Sequence, residues 1–261
     1  MQKKTVIYFT GDAHLGASCH TSPMEVERRL VRWLYSIANT AKAVYFMGDM
    51  FDYWFEYRYV VPKGYVRFLG ALAHLSDNGV ELHMLAGNHD VWMRQYFEQE
   101  LGVVVHHKPF EVSLLGRTFR LSHGDYEYRT NSFSQRFLYS LFRNKGLQKL
   151  FAAVHPDCTM GIALWWSYQN RKKHQRAESE VPSLTNTSHQ LLNPDAEWLY
   201  RCTELYKQAN PQIDTFIYGH RHLLVRQPLS LGGEMIVTGD WLIHNSYVSW
   251  DGTSLVLHSF E

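Results

Sequence analysis

Five short stretches of this sequence end in residue types that hold metals or transfer protons: "VIYFTGDAH", "AVYFMGDMFD", "VELHMLAGNHD", "TFRLSHGD" and "TFIYGHRH". Each starts as an apolar run and stops at Gly or a small polar residue followed by Asp, His or Asn. Together they offer Asp12, His14, Asp49, Asp52, Asn88, His89, His123, His220 and His222. Any one of them reads as turn chemistry, because Gly tolerates a positive φ and Asn and Asp bond their own backbone. Five in order are a different matter. Buried, unpaired carboxylates are costly, so a cluster this rich in Asp and His needs a cation. One ion uses about four to six such groups, and nine suggest two ions a few ångströms apart with a shared ligand, usually a carboxylate.

The elements that must position these groups follow from the spacing. The runs are rich in β-branched and aromatic residues, as strands are. Between the first three lie helical patterns. "SPMEVERRLVRWLYSIANT" sets Ser22 as N-cap, Pro23 at N1 and Glu25 at N3, a capping box, with Val26, Leu30, Trp33, Leu34 and Ile37 on one face. "GYVRFLGALAHLSDNG" stops at Asn78-Gly79. The β-α-β-α-β opening implies a parallel sheet with right-handed crossovers, in which ligands gather at the carboxyl ends of the strands. All five polar clusters fall there.

Later, "FEVSLLGRTFRLS" reads as a hairpin, and "HLLVRQPL", "EMIVTGD", "SYVSW" and "SLVLHSF" as strands, with Asp251-Gly252 in a turn. Residues from about 126 to 193 read as a helical insertion ending in a polar loop. A further helix is expected after it, capped by Asn193 with Pro194 at N1. The expected architecture is one α/β domain over 1–261, with two packed sheets flanked by helices.

Composition narrows the function. The chain has 261 residues, 45% hydrophobic, with a formal net charge of +1, which argues against a nucleic-acid partner. Cys19, Cys158 and Cys202 form no C-x-x-C pair, which fits a reducing compartment. The apolar run at the N-terminus is too short for a signal peptide, and no run approaches a membrane span. A cytoplasmic protein is expected.

The blocks "GDAH", "GDMFD", "GNHD", "SHGD" and "GHRH", in that order, resemble the calcineurin-like metallophosphoesterase family. The resemblance implies a four-layer α/β/β/α sandwich of two mixed sheets. It implies that Asp12, His14, Asp49 and His222 hold one metal, that Asp49 bridges, and that Asn88, His123 and His220 complete the second site. His89 would bind the phosphate or donate a proton, and Asp52 would orient it. Asp90 is expected as a turn residue or a support behind the ligands. Mixed His, carboxylate and amide donors suit Mn²⁺, Fe²⁺ or Zn²⁺, and the resemblance favours Mn²⁺.

Within that family, "GDMFDYWFEYRYVVPKGYVRFLG", "AGNHDVWM" and the "FRNK…HP…W" insertion are similar to the lipid A branch. Its members hydrolyse the pyrophosphate of UDP-2,3-diacylglucosamine by water attack on the α-phosphorus, giving UMP and 2,3-diacylglucosamine 1-phosphate. They lie on the cytoplasmic face of the inner membrane. The well-studied members carry G-N-R-D where this chain has G-N-H-D, so His89 replaces an arginine. The insertion would then be a lid, with Trp165 and Trp166 against acyl chains and Arg129, Arg143, Lys145, Arg171 and Lys172 facing phosphates or headgroups. The alternative is a helical hairpin that buries its own apolar stripe and leaves a solvated basic face. A soluble nucleotide, nucleotide-sugar or other phosphodiester substrate is the competing enzymatic expectation, and a non-catalytic scaffold of the same fold is a remote one. The sequence assigns no oligomeric state.

Overall fold

The computed structural model describes residues 4–17, 22–128, 133–162, 165, 169, 189–191 and 193–261. The opening alternation is present: β1 (Val6–Thr10), α1 (Pro23–Ile37), β2 (Ala41–Phe46), α2 (Val66–Asp77) and β3 (Glu81–Leu85). Helix α1 buries Val26, Leu30, Trp33, Leu34 and Ile37, the stripe its spacing sets. The expected capping box is not formed. Ser22 makes no side-chain cap bond, and the Glu25 carboxylate is engaged by Arg29 at 3.3 Å instead. Helix α2 ends at Asn78, and Gly79 follows at φ +75, a backbone conformation that suits glycine.

After β3 come α3 (Tyr96–Leu101), β4 (Val103–His106), β5 (Phe110–Leu114) and β6 (Arg117–Ser122). Strand β4 pairs parallel with β3. The sequence reading passed over it because four residues are too few for a period to register. The helices α4 (Asp125–Tyr128), α5 (Phe133–Phe142) and α6 (Lys145–Ala152) open the expected insertion, and residues 156–162 are helical. The helix expected from Pro194 begins later. Pro194–Ala196 is a single 3-10 turn, and α7 (Trp198–Ala209) starts where the Glu197 carboxylate accepts from the Leu199 N–H. The chain ends in β7 (Thr215–Tyr218), β8 (Leu224–Pro228), β9 (Glu234–Thr238), β10 (Ser246–Trp250) and β11 (Leu255–Ser259).

These strands form two mixed sheets, ordered β11-β10-β1-β2-β3-β4 and β5-β6-β7-β9-β8. Alternation along each strand feeds different layers. Ile7 and Phe9 enter the apolar layer between the sheets, whereas Tyr8 joins the layer under α1 and α2. Phe9 stacks on Tyr45 of its own sheet and on Phe119 of the other, with ring centroids 5.4 and 5.3 Å away. A third layer, with Leu199, Phe216 and Val237, lies between the second sheet and α7. The order is therefore helix, sheet, sheet, helix, as expected. Each large apolar side chain buried in these layers contributes about 1.5–3 kcal/mol. Among the described residues, no helix is long and apolar enough to cross a membrane.

Candidate metal centre

Strands β1, β2 and β3 run parallel in one sheet, and β6, β7 and β9 in the other. The loops beyond their carboxyl ends meet across the stacked sheets. The β1 and β2 loops continue to pair past the strands: Asp12 N–H donates to Gly48 O at 3.0 Å and His14 N–H to Asp49 O at 2.9 Å. Asp12, His14, Asp49, His220 and His222 all sit at positive φ, between 42 and 65°. Non-glycine residues rarely adopt this conformation, which costs on the order of 1–3 kcal/mol each and collects at functional sites. Two glycines make room for the carboxylates. A Cβ at Gly87 would overlap the Asp49 Oδ1, and one at Gly219 the Asp12 Oδ2.

Among the described residues, three groups of side chains bring ligand atoms within 4.8 Å of one another: Asp12, His14 and His222; His14, Asp49 and His89; and Asp49, His123 and His220. Asp49 belongs to two of them. Asn88 joins the third, its Oδ1 lying 3.3 Å from His123 Nε2. Asp12, His14, Asp49 and His123 are buried.

The donor chemistry fits cations. His123 Nδ1 donates to the Met47 carbonyl at 2.8 Å, so the neutral ring presents its Nε2 lone pair. That lone pair faces Asp49 Oδ2 at 3.3 Å and Asn88 Oδ1 at 3.3 Å. Three acceptors converge there. His14 Nε2 and His222 Nε2 likewise face each other at 3.1 Å, with Asp12 Oδ1 3.6 Å from the latter. Such arrangements are stable only around a cation or a proton.

Without a cation, protons take that place. Burial pushes the Asp12 carboxyl up to about 6, against the pull of His222 and His123. Burial would raise Asp49 too, but His123, His89 and His14 hold it well below the usual carboxylate range. His123 is desolvated, yet the Asp49 charge and hydrogen bond raise it well above a normal imidazole. Burial and the neighbouring His123 keep His220 well below.

The loops also hold each other. Asp90 is fully buried and accepts from Gly87 N–H at 2.7 Å and Met50 N–H at 2.8 Å, tying the third strand's loop to the second's. His89 Nδ1 donates to the Asp52 backbone carbonyl at 2.9 Å and lies 3.5 Å from its carboxylate. Asp52 thus fixes the ring mainly through its main chain. The structure therefore brings together all nine residues that the strand-end pattern singled out.

The insertion residues divide. Arg143 pairs with Asp125 at 3.3 Å and lies over the Tyr139 ring at 4.0 Å, beside a cleft that reaches His123. Lys145 opens α6 and is exposed, and Trp165 is 59% exposed. Neither is among the groups that meet at the centre. Arg129, Trp166, Arg171 and Lys172 lie outside the described residues.

One residue was missed. Asp240 is buried, its Oδ2 lies 3.2 Å from His222 Nδ1, and its Oδ1 accepts from the N–H groups of Leu242, Ile243 and His244 at 2.7–3.0 Å. It fixes the His222 ring so that Nε2 faces Asp12, an arrangement common behind metal-binding imidazoles. The signal was present in "EMIVTGD", a sixth strand ending in Gly-Asp.

Comparison with known proteins agrees with this geometry. The family model described as calcineurin-like phosphoesterase matches residues 5–224. The chain is 50% identical to the UDP-2,3-diacylglucosamine hydrolase of Porphyromonas gingivalis, over 99% of this chain and 98% of that protein. It is 26% identical to the hydrolase of the same name from Nitrosococcus oceani, over 90% of this chain and 86% of that protein. The Stenotrophomonas maltophilia hydrolase is also 26% identical, over 93% and 94%. With five ordered motif blocks converging on one buried centre and the family match spanning most of the sequence, the chain belongs to the calcineurin-like phosphoesterase family.

Proposed function

We propose that this chain is a metal-dependent hydrolase that cleaves the pyrophosphate of UDP-2,3-diacylglucosamine, releasing UMP and 2,3-diacylglucosamine 1-phosphate in lipid A biosynthesis. The observation that carries the substrate is the 50% identity to a hydrolase of that name along nearly the full length of both chains. The Asp49 carboxylate, grouped with His14 on one side and with His123 and His220 on the other, supports a dinuclear centre. Asp12, His14 and His222 would hold one divalent ion, Asn88, His123 and His220 the other, with Asp49 between them. The mixed donors fit Mn²⁺, Fe²⁺ or Zn²⁺ alike; the family resemblance favours Mn²⁺, and a metal analysis separates the three. When bound, two such ions neutralise charge on the phosphoryl oxygens and lower the pKa of the attacking water.

The protein's own groups do the rest. Asn88 contributes a neutral oxygen where Asp49 already supplies charge. His89, its side chain 22% exposed and its Nδ1 donating to the Asp52 carbonyl, would donate from Nε2 to a phosphoryl oxygen as the imidazolium, in which both ring nitrogens carry protons. The leaving group is a phosphate monoester, whose second pKa of about 6 makes protonation unnecessary. A hydrogen-bond donor therefore serves at this position.

Residues 126–193 would form the lid over the acyl chains. Phe137, Leu150, Ile162 and Trp165, 58–67% exposed, support contact of the lid with lipid and a peripheral place on the cytoplasmic face of the inner membrane. The test is hydrolysis of UDP-2,3-diacylglucosamine in ¹⁸O-water by the Mn²⁺-loaded protein in mild detergent. Attack at the α-phosphorus puts the label in UMP. Label in the sugar phosphate would contradict the mechanism, and no UMP release would contradict the substrate.

A further inference from the structure

Each ion of the pair proposed above draws ligands from both sheets, so each site depends on loops that meet across the seam between them. For the first ion the domain's own bonds close that seam. The His220 N–H donates to both Asp12 carboxylate oxygens at 3.0 Å, and the Trp241 N–H donates to the Asp12 carbonyl at 3.3 Å. For the second ion, Asn88 comes from the β3 loop of one sheet and His123 from the β6 loop of the other. The helical insertion joins these two loops.

The join is made by two consecutive residues at the end of α5. The Phe142 carbonyl accepts from Trp92 Nε1 at 2.5 Å, and the two rings lie 5.9 Å apart. Trp92 also packs on Phe151 of α6, with ring centroids 5.0 Å apart, so two insertion helices hold it. It stands four residues past Asn88. Arg143 reaches the other loop. Its Nη1 lies 3.3 Å from Asp125 Oδ2, and its guanidinium rests over the Tyr139 ring at 4.0 Å. Asp125 stands two residues past His123, and Gly124 between them approaches His220 closely enough that an added Cβ would lie 3.1 Å from the His220 Cβ. A shift of this segment therefore reaches both histidines of the second ion. The Asp125 side chain is only 10% exposed, and a carboxylate held that far from water is costly without its partner. If Arg143 loses its charge, Asp125 must turn outward to be hydrated and draws Gly124 with it.

We propose that Phe142 and Arg143 are positioning residues that staple the Asn88 loop to the His123 loop, so that docking of the insertion and occupancy of the second ion's site are linked. Linkage makes the effect reciprocal, and an ion bound there favours the docked insertion by the same factor. The first ion's site, closed by the domain's own bonds, is independent of the staple.

The test is the Mn²⁺ binding isotherm of the full-length protein by equilibrium dialysis. The variants are Arg143→Met, Arg143→Lys, Trp92→Phe (which keeps the ring and removes the N–H), and Arg143→Met in an Asn88→Ala background. Arg143→Met and Trp92→Phe are each expected to keep one ion at parent affinity and to bind the other about fivefold more weakly, and Arg143→Lys to recover most of the loss. In Asn88→Ala, where the first ion remains, adding Arg143→Met is expected to change its affinity by less than about twofold. An unchanged isotherm in Arg143→Met or in Trp92→Phe would overturn the assignment. So would equal weakening of both ions, or a weaker remaining ion in the Asn88→Ala background, since either marks a general loosening. The inference rests on the two-ion reading, and the two fail separately. A parent that binds one ion contradicts that reading, whereas a parent that binds two with both affinities indifferent to Arg143 contradicts only the staple.

Discussion

His89 is the residue on which turnover and metal binding should part. Its ring lies within 4.8 Å of His14 and Asp49 ligand atoms, but its Nδ1 is held by Asp52 and its side chain stays partly exposed. His89→Ala is expected to lower kcat by about 10²-fold, with metal content by elemental analysis close to that of the parent. Loss of the metals would assign His89 to the ligand set instead. Protonation gives a second expectation. Metal-free Asp12 titrates near 6, and His123 and His222 hold protons above the usual imidazole pKa. Below those values a cation must displace protons, and above them it need not. Asp49 and His220, held low, carry no proton at neutral pH and release none. Metal affinity should therefore rise with pH from about 6, where Asp12 loses its proton, and go on rising above the ordinary imidazole range as His222 and His123 lose theirs, with proton release detectable by titration calorimetry in buffers of different ionisation enthalpy. Affinity independent of pH would show that the centre is not proton-filled when empty.

Among the elements, the strand-end loops are the functional units, and they fix one another. Asp90 joins the β3 loop to the β2 loop, and Asp240 joins the β9 loop to His222. Asp240→Ala removes the acceptor behind His222 and frees three backbone N–H groups. About 10–100-fold weaker metal binding is expected, with the far-ultraviolet circular dichroism retained. Parent-like affinity would make Asp240 a loop anchor only. The same elements explain what could be read in advance. The nine residues of the centre were legible because each apolar run ends within a few residues of its Asp, Asn or His, and the parallel topology sends those ends to one rim. Asp240 carried the same strand-end Gly-Asp signal but stands apart from the five blocks, because no second Asp, Asn or His follows it within three residues. The late start of α7 was not legible. Glu197 is committed to Arg221 at 2.9 and 3.1 Å as well as to the helix, a long-range pair that local spacing cannot register.

For the whole molecule, two sheets packed through Phe9, Tyr45 and Phe119 hold the two halves of the centre. The chemistry therefore depends on the core between them. The helices beyond β6 leave Phe137 and Leu150 exposed, with Lys145 and Lys149 on the same helix as Leu150, a combination that suits an anionic lipid surface. Replacing both apolar residues with Glu should reduce co-sedimentation with phosphatidylglycerol vesicles by about tenfold or more, while metal content stays the same. Undiminished sedimentation would favour the reading in which these helices only cover the domain. The central claim is a two-ion centre that shares Asp49, and its most direct measurement is the Mn²⁺ bound per chain at saturation, with free metal removed. The account predicts about two ions in the parent, about one in Asn88→Ala and almost none in Asp49→Ala. One ion in the parent, or two retained in Asp49→Ala, would contradict it.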